Sequence, residues 1–310
     1  NFLKREFGDE AGERLLPLMQ EHYRLAYIRK PEFMGNTRVE ESLSIYNIVK
    51  DLPWSEEEIT KRLAAYGHLS EEVEALGRLI PANRQSAYFE LVKYPLQGAA
   101  QMNRKLLVAQ LARHGKADWS RSDAAFDSIV ALTTHYNALE NGKWNRIMDY
   151  RPRNLPVFSR VERRLPIDSL ASHRPHFRLW NGMDGTEGKP VACEGLGYEG
   201  KAAGIRKGES LAFTFEGCPS DSVEVEVRLL PTHPVEGGHL RFLLAVDDTE
   251  YAVSYATQGR SEEWKENVLR NQAVRRWVFP IGKEDKHRLT IKALDEGVVL
   301  DQILLYDIEH

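Results

Sequence analysis

The sequence predicts two domains of different classes, an antiparallel α-helical bundle followed by an antiparallel β-sandwich of jelly-roll type. Residues 1–141 carry apolar side chains at three- and four-residue spacing, which is typical of amphipathic helices. After Phe177, short runs alternate between apolar and polar residues, which is typical of strands with one buried face. A length of 310 residues also favours two domains. We assign residues 1–150 to the helical bundle, 151–176 to a packed crossover linker and 177–310 to the sandwich.

The helical half opens with a helix whose apolar face repeats every four residues, at Leu15, Met19, Tyr23 and Tyr27. Pro31 ends this helix, because proline cannot donate the hydrogen bond that the next turn needs. The aperiodic segment that follows carries more apolar surface than a solvated loop should expose.

The next helix has a clear start. Ser55 and Glu58 stand at the spacing of a capping box, in which each side chain bonds the other residue's backbone N–H. Gly67 predicts the end of this helix, and Ser70 predicts the start of a separate short one.

The longest predicted helix runs from Asn83 to about His114, with a kink at Pro95. Asn103 and Gln110 fall on its apolar side. They either hydrogen-bond a ligand between helices or form buried polar contacts that fix the register of the bundle.

The joint between the two halves is the stretch 144–158. Pro152 and Pro156 prevent a continuous helix there, yet Trp144, Ile147 and Val157 make it too apolar for a free linker. We predict that part of this segment packs on both domains as a crossover and that some of its apolar area stays uncovered for a partner.

The strand half contains short alternating segments separated by turn residues. One or two helical turns are expected within 261–270. The last segment is the most apolar, as expected for a central strand. Strands are predicted at residues 202–205, 211–215, 223–229, 240–246, 250–254, 276–279, 289–293 and 298–306.

Composition excludes several classes of protein. The net charge is −4 with both signs interspersed, which argues against a nucleic-acid partner. No apolar run approaches the roughly 20 residues of a membrane helix, and no signal-peptide pattern is visible. Cys193 and Cys218 are too few for a disulfide scaffold or a Cys-ligated zinc site. They either pair in an oxidising compartment or remain two unpaired buried thiols.

Motifs for cofactor chemistry are missing from the sequence. No phosphate-binding loop or dinucleotide fingerprint occurs. The close histidine pairs are His173 with His176 and His233 with His239. Both lie among Pro and Gly residues, where no regular helix or strand would hold the side chains in the geometry of metal ligands. We therefore expect no cofactor and no metal.

Two carboxylates are candidates for acid–base catalysis, and several tryptophans are candidates for sugar binding. Glu194 and Asp301 are unusually placed, but Asp301 is predicted to accept from backbone amides at a strand end. Trp264 and Trp277, together with Trp180, either form a sugar-stacking face or pack in the sandwich core. Sequence alone assigns no catalytic pair, since acid–base catalysis needs two groups at a defined separation.

Four segments resemble the C-terminal part of glycoside hydrolase family 115. The resemblance covers essentially the whole chain, and the sequence departs from it at Asn36-Thr37-Arg38, where many members carry Trp. The segments are Ile28-Arg29-Lys30-Pro31-Glu32-Phe33-Met34-Gly35; Ala87-Tyr88-Phe89-Glu90-Leu91-Val92-Lys93-Tyr94-Pro95 with Met102-Asn103; residues 142–156; and Ala293-Leu294-Asp295-Glu296-Gly297-Val298-Val299-Leu300-Asp301, which is similar to the closing hairpin of the family's sandwich.

The resemblance implies a xylan α-1,2-glucuronidase, an inverting hydrolase that removes glucuronic acid or its 4-O-methyl form from xylan. Its acid and base belong to a (β/α)-barrel that precedes these two domains. The chain has no such pattern of alternating strands and helices, so we transfer no catalytic residue and expect no activity from this segment alone. The expected substrate contacts are Lys30, Glu32, Phe33, Trp264 and Trp277.

The partners implied are the catalytic barrel of the same enzyme and xylan or glucuronoxylan oligosaccharides, without nucleic acid or membrane. The helical bundle would support the barrel and shape its pocket, or form a homodimer contact. The family also implies a secreted or periplasmic location. Two alternatives stay open, a carbohydrate-binding module acting through the sandwich and a protein-interaction scaffold.

Overall fold

The computed structural model describes residues 1–35, 49–166 and 168–308. Its contacts divide the chain into a helical unit, Asn1–His173, and a sandwich unit, Arg174–His310. No helix among the described residues is long and apolar enough to cross a membrane. The predicted limits at residues 150 and 176 stay a prediction.

In its described residues, the helical unit is built mainly from six α-helices. Short 3₁₀ turns, among them Pro31–Phe33 and Pro156–Phe158, connect or extend them. The α-helices are α1 (Phe2–Phe7), α2 (Asp9–Ile28), α3 (Glu56–Leu76), α4 (Gln85–Tyr88), α5 (Tyr94–Arg113) and α6 (Trp119–Gly142).

The start of α3 confirms the predicted capping box. The Ser55 hydroxyl accepts from the Glu58 amide at 3.3 Å, and the Glu58 carboxylate accepts from the Ser55 amide at 2.7 Å. The predicted break at Gly67 is wrong, because α3 continues to Leu76. An exposed helical glycine costs only about 1 kcal/mol, and the buried face continues beyond it through Leu69.

The other helical predictions hold only in part. On α2, Leu15 is buried, but Tyr23 is 64% exposed and lies outside the packed face. The helix predicted from Asn83 is present as consecutive helical turns over residues 82–113, but it is not one regular α-helix, since a π-helical turn, Phe89–Lys93, lies between α4 and α5. This wider turn ends two residues before Pro95, which lacks an N–H and falls in the first turn of α5.

The crossover packs on the helical unit through residues that follow α6. The Asn137 side chain bonds both the N–H and the C=O of Met148, at 3.0 and 2.9 Å. Val157 is buried, whereas Ile147 is 58% and Tyr150 38% exposed. The segment is therefore anchored in the helical unit and keeps apolar surface uncovered, as predicted. Its predicted packing on the second domain stays a prediction.

Over the residues that the structure describes, the sandwich unit has ten strands in two antiparallel sheets and one short α-helix, α7 (Glu262–Arg270). One sheet has the order β2-β3-β10-β5-β8, with β1 also paired to β10, and the other has the order β4-β9-β6-β7. The strands are β1 (His176–Asn181), β2 (Val191–Glu194), β3 (Lys201–Ile205), β4 (Ser210–Glu216), β5 (Ser222–Leu229), β6 (Arg241–Val246), β7 (Thr249–Ser254), β8 (Ala273–Pro280), β9 (Lys286–Ala293) and β10 (Val298–Asp307).

The inner faces of both sheets share one core. On β5, Val223, Val225, Val227 and Leu229 are fully buried, as their alternation with polar residues predicts. The predicted fold class, a helical bundle followed by an antiparallel β-sandwich, is confirmed.

The resemblance to a closing hairpin at 293–301 is wrong in its pairing. β9 pairs with β4 and β6, whereas β10 pairs with β1, β3 and β5 in the other sheet. The turn containing Gly297 therefore carries the chain from one sheet to the other. Gly297 has a φ of +95°, a conformation that favours glycine.

Candidate functional site

The segment of residues 30–33, called here the Lys30 segment, is short and ordered by local bonds. Lys30 precedes the 3₁₀ turn Pro31–Phe33 in extended backbone. Lys30 and Glu32 are exposed, Phe33 is half-buried, and the Lys30 Nζ lies 6.0 Å from the centre of the Phe33 ring. The structure thus places the Lys30 ammonium group near the Phe33 ring, with Glu32 between the two residues in sequence. Asn36-Thr37-Arg38, where the sequence departs from the family, lies outside the described residues.

Two buried guanidinium groups hold the Lys30 segment in place. Arg29 Nε donates to the carbonyl of Phe33 at 2.9 Å, and Arg62 Nη2 donates to the carbonyl of Arg29 at 2.8 Å. Arg62 Nε also donates to Asn103 Oδ1 at 2.6 Å. Asn103 therefore makes a buried structural contact that links α3 to α5, in accord with the second interpretation offered for it.

Sequence reasoning missed Arg62. It stands three residues after Ile59 and four before Tyr66, on the buried face of α3. A charged residue on an apolar stripe is the signal that could have found it, since buried charges need partners. Gln110 plays a comparable role, because its side chain bonds the N–H and C=O of Leu52 at 3.0 and 2.8 Å.

Pro31 also lines a cleft of about 300 Å³ within the helical unit, called here the helical cleft. Rings and apolar side chains dominate its walls. His22 is one of the lining residues, and burial lowers the pKa of its imidazole. The lining residues are His22, Ala26, Pro31, Tyr94, Pro95, Gly98, Ala99, Met102, Ile129, Thr133, Asp149, Tyr150, Pro152 and Phe158.

The two tryptophans predicted to contact sugar lie on different elements of the sandwich unit. Trp264 is half-buried on α7, and its Nε1 is buried without a hydrogen-bond partner among the described residues. Trp277 lies on β8 and packs against the sandwich core with part of its ring accessible. Trp180 likewise packs on Phe213, with ring centres 5.3 Å apart. Sugar stacking by Trp264 and Trp277 stays a prediction.

The two unusual carboxylates each have a structural partner. Asp301 is 1% exposed and accepts from the Tyr198 amide and from Gln272 Nε2, both at 2.8 Å. Burial raises the pKa of its carboxyl group. Glu194 is exposed and forms an ion pair with Lys201 at 2.9 Å. Asp301 accordingly fixes the loop before β3. It accepts from a backbone amide as predicted, but it lies within β10 and not at a strand end.

A second, polar cavity of about 430 Å³ lies at one end of the sandwich. Cys218 and His287 contribute to its lining, and His287 Nδ1 lies 2.8 Å from Asp247 Oδ2. Burial raises the pKa of the Cys218 thiol. Both Cys218 and Cys193 are free and partly buried. Within residues 1–35, 49–166 and 168–308, no group of three or more His, Cys, Asp or Glu side chains is arranged to hold a metal.

Comparison with known proteins identifies both units. Residues 172–309 match the family model of the glycosyl hydrolase family 115 C-terminal domain. A solved 4-O-methyl-α-glucuronidase of family 115, described as specific for decorated arabinogalactans, is 59% identical to the chain with a TM-score of 0.95. The match covers 99% of this chain and 41% of that one.

More distant similarities are confined to part of the chain. A family 35 carbohydrate-binding module from Clostridium thermocellum is 11% identical, with a TM-score of 0.33 over 42% of this chain and 98% of the module. An exo-β-1,3-galactanase from Phanerochaete chrysosporium is 12% identical, with a TM-score of 0.32 over 42% of this chain and 29% of its own. No curated protein matches the sequence. The chain therefore belongs to glycoside hydrolase family 115 and consists of the helical and β-sandwich domains of its C-terminal part.

Proposed function

We propose that the chain is the non-catalytic C-terminal portion of an enzyme that removes glucuronic acid or 4-O-methylglucuronic acid from a polysaccharide. The observation that carries this proposal is 59% identity over 99% of the chain to a 4-O-methyl-α-glucuronidase. The chain spans only 41% of that relative's length. In this proposal the catalytic acid and base belong to the remainder, as the family resemblance implies. The chain alone then releases no glucuronic acid.

The helical unit supports the catalytic barrel in this proposal, and the Lys30 segment helps to shape its pocket. Arg29 and Arg62 hold the segment rigidly, so its exposed side chains are presented at little entropic cost on binding. The ammonium group of Lys30 suits the carboxylate of a uronic acid, Glu32 can accept from sugar hydroxyls, and Phe33 offers an apolar face. These roles fit an acidic sugar better than a neutral one.

Two polysaccharides are proposed as the substrate of the full enzyme. Xylan or glucuronoxylan follows from the family resemblance, whereas the 59% identical relative is described as specific for decorated arabinogalactans. Assays with both glucuronidated substrates decide between them.

A chimera tests the proposal. The C-terminal part of the 59% identical enzyme is replaced by residues 1–310 of this chain, and glucuronic acid release is compared among the chimera, the isolated chain and the parent enzyme. We expect release by the chimera within about tenfold of the parent and none by the isolated chain. Release by the isolated chain, or an inactive but folded chimera, contradicts the proposal.

A second candidate function is direct carbohydrate binding by the sandwich unit through Trp264 and Trp277. The partly accessible ring of Trp277 favours it, although much of that ring packs on the core. Isothermal titration with xylan oligosaccharides tests it, with Trp264→Ala and Trp277→Ala as variants and exposed Tyr23→Ala as a control. Saturable binding that only the tryptophan variants lose supports this function.

Location and assembly follow from the same proposal. An enzyme that acts on polysaccharide side chains works where polysaccharide is found, so we infer a secreted or periplasmic protein. Homodimerisation is a further proposal, and sedimentation of the chimera at several concentrations tests it.

A further inference from the structure

The outer face of one sheet of the sandwich unit carries charged side chains on neighbouring strands, and we call it the arginine face. The valines of β5 point into the core, so the residues between them point outward, beside partners on β8 and β10. The residue that precedes β1 by two positions reaches the same face, because its guanidinium carbon lies 4.4 Å from the centre of a tyrosine ring on β10. The arginine face consists of the side chains of Arg174, Glu224, Glu226, Arg228, Arg276 and Tyr306.

Two buried side chains hold the central arginines of this face in place. Glu226 is 2% exposed and accepts from Arg228 Nε at 2.6 Å and from Arg276 Nε at 2.7 Å. Gln302 is also 2% exposed, and its Oε1 accepts from Arg228 Nη1 at 3.1 Å. Both guanidinium groups are therefore ordered before a ligand arrives, so that binding costs little side-chain entropy.

The network leaves hydrogen-bond donors and positive charge unused. Nη2 of Arg228 and Nη1 of Arg276 donate to no described residue, and these side chains are 24% and 60% exposed. Arg174 pairs with Glu224, so three guanidinium groups meet two carboxylates and one positive charge is in excess. Exposed guanidinium N–H groups suit a carboxylate, which can accept two parallel hydrogen bonds.

Apolar side chains border these donors. Val278 is 50% exposed beside Glu224, and Leu179 of β1 is 37% exposed beside Leu304. The C–H groups of a sugar ring can cover such side chains, whereas an inorganic anion would leave them in water. A neutral sugar would leave the surplus charge without a partner. The ligand that fits both features is a sugar that carries a carboxylate.

We propose that the arginine face binds the carboxylate of a uronic acid residue on the polysaccharide, with Arg228 and Arg276 as the ligating side chains. The inference rests on the proposed function, which supplies the acidic polysaccharide. The chain as a whole carries a net charge of −4, so general attraction to a polyanion does not account for such binding. The arginine face is separate from the tryptophan candidates, because Trp277 lies opposite Val225 and packs on the inner side of its sheet.

The first test compares ligands that differ only in the carboxylate. The isolated chain is titrated calorimetrically with glucuronoxylan oligosaccharides and with the same oligosaccharides after carboxyl reduction, which makes each uronic acid a neutral sugar. We expect saturable binding of the acidic form and at least about tenfold weaker binding of the reduced form. Glucuronidated arabinogalactan oligosaccharides, titrated in parallel, show which polysaccharide supplies the uronic acid.

Two arginine variants form a matched pair for this titration. Arg276→Gln removes one ligating guanidinium group while Arg228 still pairs with Glu226. Arg288→Gln removes a similarly exposed arginine of the other sheet, which pairs with Glu187. We expect Arg276→Gln to weaken binding of the acidic oligosaccharides about tenfold and Arg288→Gln to leave it unchanged.

Substitution of Val278 changes the charge of the face without removing any bond of the network. Val278→Glu should weaken binding about two- to fivefold, and Val278→Lys should strengthen it by a similar factor. Ala252→Glu, at an exposed position of β7 in the other sheet, should have no effect. Far-UV circular dichroism and thermal unfolding verify the fold of each variant.

Three outcomes overturn the inference. Equal binding of the acidic and the reduced oligosaccharides, or no binding of either by the folded chain, shows that the carboxylate is not recognised. Equal losses in Arg276→Gln and Arg288→Gln show a general charge effect. Binding of sodium acetate as tight as that of the acidic oligosaccharides shows an anion site that does not recognise the sugar.

The second test uses the chimera and separates this inference from the proposed function. Val278→Glu should raise KM for the glucuronidated polymer about two- to fivefold, and Ala252→Glu should not. An active chimera whose KM is insensitive to Val278→Glu contradicts the binding inference alone, whereas an inactive, folded chimera contradicts the proposed function. If Val278→Glu lowers the melting temperature of the chimera but leaves that of the isolated chain and polymer binding unchanged, the face contacts the rest of the enzyme and the inference is wrong.

Discussion

The buried Lys105 makes the stability of the helical unit depend on pH in a direction opposite to that expected for an exposed lysine in an ion pair. Its side chain is 0% exposed, and Nζ donates to the carbonyls of Val157 and Ser159 at 2.7 and 2.8 Å. Burial lowers the pKa of Lys105 from 10.5 to about 7. The same bonds tie the crossover to α5.

The sign of the effect follows from proton binding. Between about pH 7 and pH 10 the unfolded chain keeps the Lys105 proton while the folded protein has lost it, so unfolding takes up a proton. The free energy of unfolding therefore rises with pH in this window, at about 1.4 kcal/mol per pH unit. Below about pH 7 the folded protein keeps Lys105 protonated, and the full free-energy cost of burying this charge persists.

Lys105→Met removes this titration. From about pH 7.5 to pH 9, we expect the wild type to gain about 2 kcal/mol of unfolding free energy relative to the variant. Urea unfolding followed at 222 nm measures both proteins at both pH values, since that signal reports the helices. Lys116→Met, which replaces an exposed lysine of the same unit, is the matched control and should show no such change. A wild-type-to-variant difference that stays constant within about 0.5 kcal/mol would refute the reasoning.

Three further substitutions test individual contacts. Gly197→Ala should lower the free energy of unfolding of the sandwich unit by roughly 1–3 kcal/mol, because φ at this position is +88° and the new Cβ would lie 2.6 Å from Asp301 Oδ1. Thermal unfolding measures this loss, and an unchanged melting temperature contradicts it. Ser55→Ala should cost about 1 kcal/mol of unfolding free energy through the lost helix cap, whereas an effect below about 0.3 kcal/mol in urea unfolding would show that the cap is dispensable. Arg62→Met should speed hydrogen exchange at the Phe33 and Met34 amides, because the carbonyl of Arg29 loses the hydrogen bond from Arg62 Nη2. Unchanged exchange at these amides would show that Arg62 does not support the Lys30 segment.

Much of the fold was predictable from local patterns. The alternation on β5 places its valines on one face whatever the sheet, because successive strand side chains point to opposite sides. The Ser55–Glu58 box identifies a helix start because both of its bonds are local. The Lys30 segment is identifiable in the sequence only through its resemblance to the family, because the bonds that hold it come from Arg29 and Arg62.

The sequence by itself determined the class of each half, most of the strands and the start of α3, because these depend on residues a few positions apart. Only the tertiary structure decided that β9 and β10 belong to different sheets, since strand partners depend on contacts distant in sequence. It alone showed that Arg62 reaches Asn103, 41 residues away, and that Lys105 reaches the crossover, 52 residues away. A buried charge is stabilised by whichever partner the fold brings to it, and no local pattern specifies that partner.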